Sequence, residues 1–144
     1  MSFVPYLHFQ GNCAEAMQYY ADCFGGGDLQ IAKYADAPSD IFPDGQRPAD
    51  DGRVMHASLT VDGATLMASD FPPGMPGDPQ KAVSVAHAVP DVETGRALFN
   101  RLAEGGAVVL PFGETFWAEG FGMLKDRFGT HWMISGPGKV TAAG

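Results

Sequence analysis

The sequence predicts an α+β fold built from two βαβββ modules that form a cupped mixed sheet. Three observations point to it. Gly26-Gly27 lies over Gly105-Gly106 at an offset of 79, and the same offset lays Asn12 over Asp91. At an offset of 66, residues 62–69 lie over 128–135, with Gly63, Met67 and Ser69 matched by Gly129, Met133 and Ser135. Between these landmarks, helix-spaced apolar stripes alternate with short β-branched and aromatic runs. Self-similarity on this scale marks a repeated supersecondary unit.

Residues 3–9 form the first strand candidate, with Pro5 acceptable near a strand start or edge. Gly11-Asn12 interrupts it. Asn12 followed three residues later by Glu15 has the form of a capping box. Cys13, Met17, Tyr20 and Phe24 then fall on one helical stripe. Gly25-Gly26-Gly27 ends that helix. Because the glycines follow a helix and do not precede one, they read as a C-cap and not as a phosphate loop. Residues 29–34 form a second strand. Residues 35–52, with Pro38, Pro43, Pro48 and several aspartates, form a loop of the kind that sometimes covers a site. Strands at 54–61 and 64–69 are joined by the two-residue hairpin turn Asp62-Gly63. A Pro/Gly loop over 71–79 joins the halves.

The second half repeats the plan. Residues 82–89 form a strand. Asp91 caps a helix whose packing stripe is Val92, Gly95, Leu98, Phe99 and Leu102, and Gly105-Gly106 ends it. Residues 107–112 form a strand, followed by a loop carrying Phe116-Trp117. A hairpin turning at Asp126-Arg127-Phe128-Gly129 follows. The modules span about residues 1–70 and 81–136 of one domain, 1–136, with 137–144 as a loose tail. Each helix covers one sheet face, and the other faces curve around a shared cavity.

Composition bounds the function. A chain of 144 residues builds one sizeable core. Nine basic against seventeen acidic residues, a net charge of −8, exclude the basic footprint that nucleic acid or an anionic membrane requires. No apolar run approaches the ~20 residues of a membrane span. The start of the chain lacks the basic and apolar regions of a signal peptide. Cys13 and Cys23 lie on one helix, separated by a rise of about 15 Å. A disulfide cannot bridge that distance, so both read as thiols of a cytoplasmic protein.

Several runs together resemble a known family. They are Pro5-Tyr6-Leu7, Phe9, Gly11-Asn12, Met55-His56-Ala57, Leu66-Met67-Ala68-Ser69-Asp70, Pro111, Thr115-Phe116-Trp117, Phe121-Gly122-Met123-Leu124, Asp126, Phe128-Gly129 and Trp132-Met133. The two modules resemble the vicinal oxygen chelate superfamily of glyoxalase I, extradiol dioxygenases and bleomycin-resistance proteins. The motifs, over about residues 3–135, resemble its PhnB-like branch, also catalogued as a 3-demethylubiquinone methyltransferase-like domain. The Gly-rich turn after a parallel strand that usually holds an adenosyl-type methyl donor is not in the sequence.

The resemblance implies a metal held by four His, Glu or Gln side chains, one each from the first and last strand of each module. Those positions fall on Pro5 (or Val4, if Gly11 is an inserted residue), Ser84, Met67 and Met133. Proline has no side-chain donor, and methionine is a soft ligand better suited to Cu(I). No metal site and no cofactor are therefore expected, with a divalent metal disfavoured. The resemblance also implies a homodimer, and edge strands such as the first and fifth would need a partner.

The candidate ligand-binding residues are His56, Met67, Trp117, Phe121, His131 and Met133. Alternation puts His131 on the face of Met133, and His56 on the face opposite Ala57, Leu59 and Val61. His87 is expected against the helix, and His8 depends on the first-strand register. His56 and His131 are either polar residues satisfied by a neighbour or groups that recognise a ligand or move a proton. Phe116 and Trp117 either wall a cavity or pack an interface. Met67, Met75, Met123 and Met133 suit an adaptable pocket and equally an ordinary core. Asp70 and Glu119 are candidate polar walls. Three functions remain open. The first is a metal-free small-molecule binder. The second is an enzyme of isomerase, lyase or dioxygenase type using His56 and His131 or an unusual metal site. The third is a structural role.

Overall fold

The computed structural model describes residues 2–38, 40 and 51–139. The expected loop over 35–52 therefore lies largely outside the described residues. The chain divides into two compact units, Met1–Gln80 and Lys81–Gly144. The boundary falls at the end of the Pro/Gly joining loop. Among the described residues no helix is long and apolar enough to cross a membrane.

The first unit runs β1 (Tyr6–Phe9), α1 (Cys13–Cys23), β2 (Asp28–Lys33), a 3-10 turn (Tyr34–Asp36), β3 (Val54–Val61) and β4 (Ala64–Asp70). Its sheet has the order β1-β4-β3-β2, with β1 parallel to β4 and the other pairs antiparallel. Helix α1 buries Cys13, Ala16, Met17 and Tyr20 completely. The sheet offers Leu7, Phe9, Ala57, Leu59 and Ala68, all buried. Each fully buried large apolar side chain contributes about 1.5–3 kcal/mol, so this one stripe holds helix to sheet.

The start of α1 differs from the expected capping box. Asn12 sits at φ −113°, ψ 21° and its side chain makes no cap hydrogen bond. That backbone is not the extended conformation from which an N-cap side chain reaches back to the first turn. Asp70, at the end of β4, takes over. Its Oδ1 accepts from Gly11 N (2.7 Å) and Cys13 N (3.1 Å), and its Oδ2 accepts from Val54 N (2.8 Å). One buried carboxylate thus ties three segments together.

The second unit runs β5 (Ser84–Ala88), α2 (Val92–Ala103), β6 (Ala107–Gly113), β7 (Phe121–Lys125) and β8 (His131–Ser135), in the sheet order β5-β8-β7-β6. The expected cap at Asp91 is present: its Oδ1 accepts from Thr94 N at 2.7 Å and its Oδ2 from Thr94 Oγ1 at 3.0 Å. These bonds hold the Asp91 carboxyl below the usual carboxylate range, the Thr94 N–H first among them. Helix α2 buries Gly95, Leu98, Phe99 and Leu102. Trp132, Ile134 and Leu124 lie buried in the sheet beneath.

Both first strands are shorter than expected. Ala82 adopts φ 59°, which breaks the extended run before β5. The paired registers also settle the first-strand alternatives. Tyr6 lies beside Met67, while Ala86 lies beside Met133. The first strands therefore match at an offset of 80. Gly11, at φ 113°, is the extra residue of the first unit, and Val4 is the counterpart of Ser84.

The C-terminal segment also departs from a loose tail. Gly136 N donates to Gly120 O, Glu119 N to Pro137 O, and Lys139 N to Trp117 O. Glu114 and Lys139 form an ion pair beside them. Backbone N–H donors and C=O acceptors of residues 136–139 and of the 114–120 loop satisfy one another, which fixes both. Residues 140–144 lie outside the described residues.

Candidate functional site

Strand alternation sorts each sheet into a face packed on its helix and an opposite, open face. In the first unit the open face carries two rows. Tyr6, Met67, Ser58 and Gln30 are register partners in one; His8 pairs with Ser69, and His56 with Ala32, in the next. His56 and His8 are exposed and Tyr6 is 41% exposed. His56 therefore stands on the face expected for it, the face that also carries Met67.

Four rings gather on this face. Tyr6 Oη and His56 Nδ1 are hydrogen-bonded at 3.0 Å. The Tyr6 ring lies 5.7 Å from His56 and 5.1 Å from His8, centroid to centroid. His8 stacks on Phe71 at 5.1 Å with 23° between the planes. Arg53 supports the end of the row: its Nη1 donates to Phe71 O at 2.9 Å while its Nε pairs with Asp51.

In the second unit the open face carries Ser84, His131 and Lys125 in one row and Ala86, Met133 and Met123 in the next, with Phe121 beside Ser135 beyond them. His131, Met133 and Phe121 thus share one face, as alternation requires. Trp117 packs edge-on against Phe121 at 5.3 Å, and Phe116 edge-on against Trp117 at 4.8 Å. Phe121 is buried, while Phe116 is 81% exposed and Trp117 43%. His131 Nδ1 is buried and has no hydrogen-bond partner among the described residues. His87 lies in the row of Ile134, on the helix face.

The six candidates therefore fall into two sets, His56 and Met67 on the first sheet and Trp117, Phe121, His131 and Met133 on the second. Of the two candidate polar walls, Asp70 is 1% exposed and directs its oxygens to backbone donors, so it is a structural carboxylate. Glu119 is exposed beside the paired tail. Met75 is 59% exposed on the joining loop.

The superfamily's metal positions, in the settled register, are Val4, Met67, Ser84 and Met133. A valine, a serine and two thioethers do not fit a hard divalent cation. Among the described residues no three His, Cys, Asp or Glu side chains come together as a ligand set.

Sequence reasoning missed Tyr6 and Phe71 and left His8 open. The signal lay in Tyr6-Leu7-His8-Phe9, whose alternation is clear once its register is known. Pro5 and Gly11 on either side hid that register. Phe71 had no pattern, since it sits one residue past β4.

Known proteins share this architecture. A family model described as 3-demethylubiquinone-9 3-methyltransferase matches residues 1–135. Protein YjdN of Escherichia coli is 33% identical over 141 residues, covering 94% of this chain and 95% of its own. The crystal structure of protein PA1353 from Pseudomonas aeruginosa is 43% identical with a TM-score of 0.80, covering 95% of this chain and 98% of that one. The PhnB protein of Bacillus cereus is 26% identical with a TM-score of 0.69, covering 94% and 99%. A glyoxylase/bleomycin resistance protein/dioxygenase domain from Frankia, 12% identical with a TM-score of 0.62 and covering 95% and 91%, shares the fold. The chain belongs to the PhnB-like family described as 3-demethylubiquinone-9 3-methyltransferase, within the glyoxalase/bleomycin-resistance fold.

Proposed function

We propose that this protein binds a small organic molecule on an open sheet face, without the superfamily's divalent metal. The observation that carries the reading is the Tyr6–His56 hydrogen bond beside the stacked His8–Phe71 pair. Exposed rings with polar tips on the face away from the helix do not contribute to the core. They supply aromatic area and directed hydrogen bonds, the two elements of a small-molecule site. Met67, a register partner of Tyr6 on the same face, supplies deformable apolar surface of the kind that adapts to a ligand. Val4, Ser84, Met67 and Met133 at the metal positions support a metal-free site.

The test is a chemically diverse thermal-shift screen followed by NMR mapping, with metal analysis of protein purified without chelator. Hits that perturb Tyr6, His8 or His56 support the reading. Hits confined to residues elsewhere, or no hits, overturn it. A stoichiometric divalent metal overturns the metal-free part.

A second reading follows from the same hydrogen bond. An imidazole held by a phenol is an oriented acid/base group, so His56 is also placed to move a proton on a bound ligand. Turnover of a hit compound that is lost in His56→Gln would favour an enzyme. We also propose a homodimer: β1 and β5 end their sheets, and Val83 (74% exposed) and Val109 (57%) are apolar surface near sheet edges. A monomer mass by light scattering at micromolar concentration overturns that. The two thiols, one buried and neither in a disulfide, support a reducing, cytoplasmic setting.

A further inference from the structure

We infer that the Tyr6–His56 pair is the donor end of a site for a planar aromatic carboxylate whose ring lies along the His8–Phe71 row. The inference rests on the binding role proposed for this face and specifies the chemistry of what binds.

The tautomer comes first. In the Tyr6 Oη–His56 Nδ1 contact at 3.0 Å either group could carry the shared proton. A phenol is the better donor of the two, because its oxygen lone pair is delocalised into the ring. Tyr6 then donates to the Nδ1 lone pair, and the proton of neutral His56 resides on Nε2, since the bond at one ring nitrogen fixes the other. Nε2–H has no partner among the described residues and belongs to an exposed side chain. When His56 is protonated, Nδ1–H donates to Tyr6 and the phenol proton becomes free as well. In either state the pair offers donors, so its complement is an acceptor oxygen.

Charge decides which acceptor. The chain carries a net charge of −8, yet no carboxylate stands in the two rows of this face among the described residues. Asp70, next along β4, turns its oxygens to Gly11, Cys13 and Val54. Asp51 is paired with Arg53. Asp28 accepts from Gln30 Nε2. It lies four residues along β2 from Ala32, the partner of His56, or about 13 Å at the rise of a strand. Among the described residues, two imidazoles and a phenol are thus grouped with no carboxylate in their rows. A ligand carboxylate would supply one, and charge-assisted hydrogen bonds are the stronger kind. The Phe71–His8–Tyr6 ring succession, with neighbouring centroids 5.1 Å apart and 23° and 37° between successive planes, provides aromatic surface for a ligand ring to pack against.

The test uses benzoate, benzylammonium and cyclohexanecarboxylate as probes with the full chain, followed by NMR of the histidine and tyrosine side chains. Without any probe, long-range proton–nitrogen spectra are expected to show His56 protonated at Nε2, and Tyr6→Phe to mix its tautomers. Benzoate is expected to shift His56, His8 and Tyr6. Cyclohexanecarboxylate is expected to bind several-fold more weakly and benzylammonium not at all. His56→Gln, which keeps a donor near the Nε2 position, is expected to retain part of the benzoate affinity that His56→Ala loses. Benzylammonium binding as well as benzoate, or benzoate shifting none of the three residues, overturns the inference. If benzoate is silent while a compound of another class perturbs this face, the ligand class is wrong and the binding role stands. If no compound perturbs it, both fall.

Discussion

Trp132 Nε1 donates a 2.8 Å hydrogen bond to Asp126 Oδ2 within the β7–β8 hairpin, and both residues are almost fully buried. The other oxygen, Oδ1, accepts from Phe128 N at 2.8 Å and Thr130 N at 3.0 Å. Asp126 thus fixes the turn and anchors the largest fully buried side chain among the described residues. Asp126→Ala leaves three donors without this acceptor. With unsatisfied buried groups costing about 1–3 kcal/mol each, and some relaxation, the loss is expected to be about 3 kcal/mol or more. Asp126→Asn keeps one acceptor oxygen and should cost less. Urea unfolding followed by Trp fluorescence reads both; an unchanged midpoint in Asp126→Ala would refute the role.

Asp70 does for the start of α1 what Asp126 does for the hairpin turn, and it acts on a thiol as well. Burial pushes the Cys13 thiol up to about 12, with the Asp70 carboxylate adding to the rise. Cys13 is therefore protonated and unreactive in the native protein, despite its place at a helix start. Iodoacetamide at pH 8 should modify Cys23 and spare Cys13, and both should react after unfolding. Intact mass and peptide mapping decide it: rapid native labelling of Cys13 would contradict this packing.

The two glycines after α2 do different jobs. Gly105 has φ 74°, and a Cβ there would meet the Arg127 side chain at 3.3 Å. An alanine at that position pays for the left-handed backbone, about 1–2 kcal/mol. Gly106 has an ordinary φ, but its Cβ would stand 2.2 Å from Lys125 O and within 3 Å of the Asp126 backbone. Backbone cannot move aside as a side-chain tip can. Gly106→Ala should therefore cost more than Gly105→Ala, the reverse of what conformation alone predicts. Thermal unfolding of the two variants ranks them.

His131 presents a different test. Its Nδ1 is buried and has no partner among the described residues, while the ring shares the open face with Met133. Removing an unsatisfied polar atom in favour of an apolar group of similar shape is close to neutral or stabilising. His131→Leu is expected to keep or raise the melting temperature. A fall of several degrees would mean that the imidazole has a structural partner.

Much of this architecture is legible in the sequence because periodicity carries it. The helix stripes, the Asp62-Gly63 turn and the two registers set His131 and Met133 on one face from the sequence alone. The same reasoning cannot reach the Tyr6–His56 contact, which joins β1 to β3 across β4 and needs the sheet order. It also assigns the α1 cap to Asn12. A cap supplied by Asp70, far along the chain, leaves no local pattern. The tail hides for a related reason: Gly136-Pro137-Gly138 looks structureless, and its partner is the backbone of the Trp117 loop.

That loop gives the pH-dependent prediction. Glu114 pairs with Lys139, and the hydrogen bond from Lys139, followed by its charge, lowers the Glu114 carboxyl below its ordinary value. A depressed folded-state pKa means that the pair's contribution is present above the unfolded glutamate value and is lost as pH falls through the folded one. The pair should therefore add to the backbone's hold on the Trp117 loop at neutral pH and cease to add to it only in acid below the usual glutamate range. Both partners are on the surface, so high salt should weaken the hold as well. The Trp117 indole resonance, separate from that of buried Trp132, reports the change. In Glu114→Gln the acid transition should vanish, and the Trp117 signal should at neutral pH already resemble the acid form. An acid transition of Trp117 that survives this substitution would assign the hold to the backbone pairing of Trp117 with Lys139 and of Glu119 with Pro137 alone.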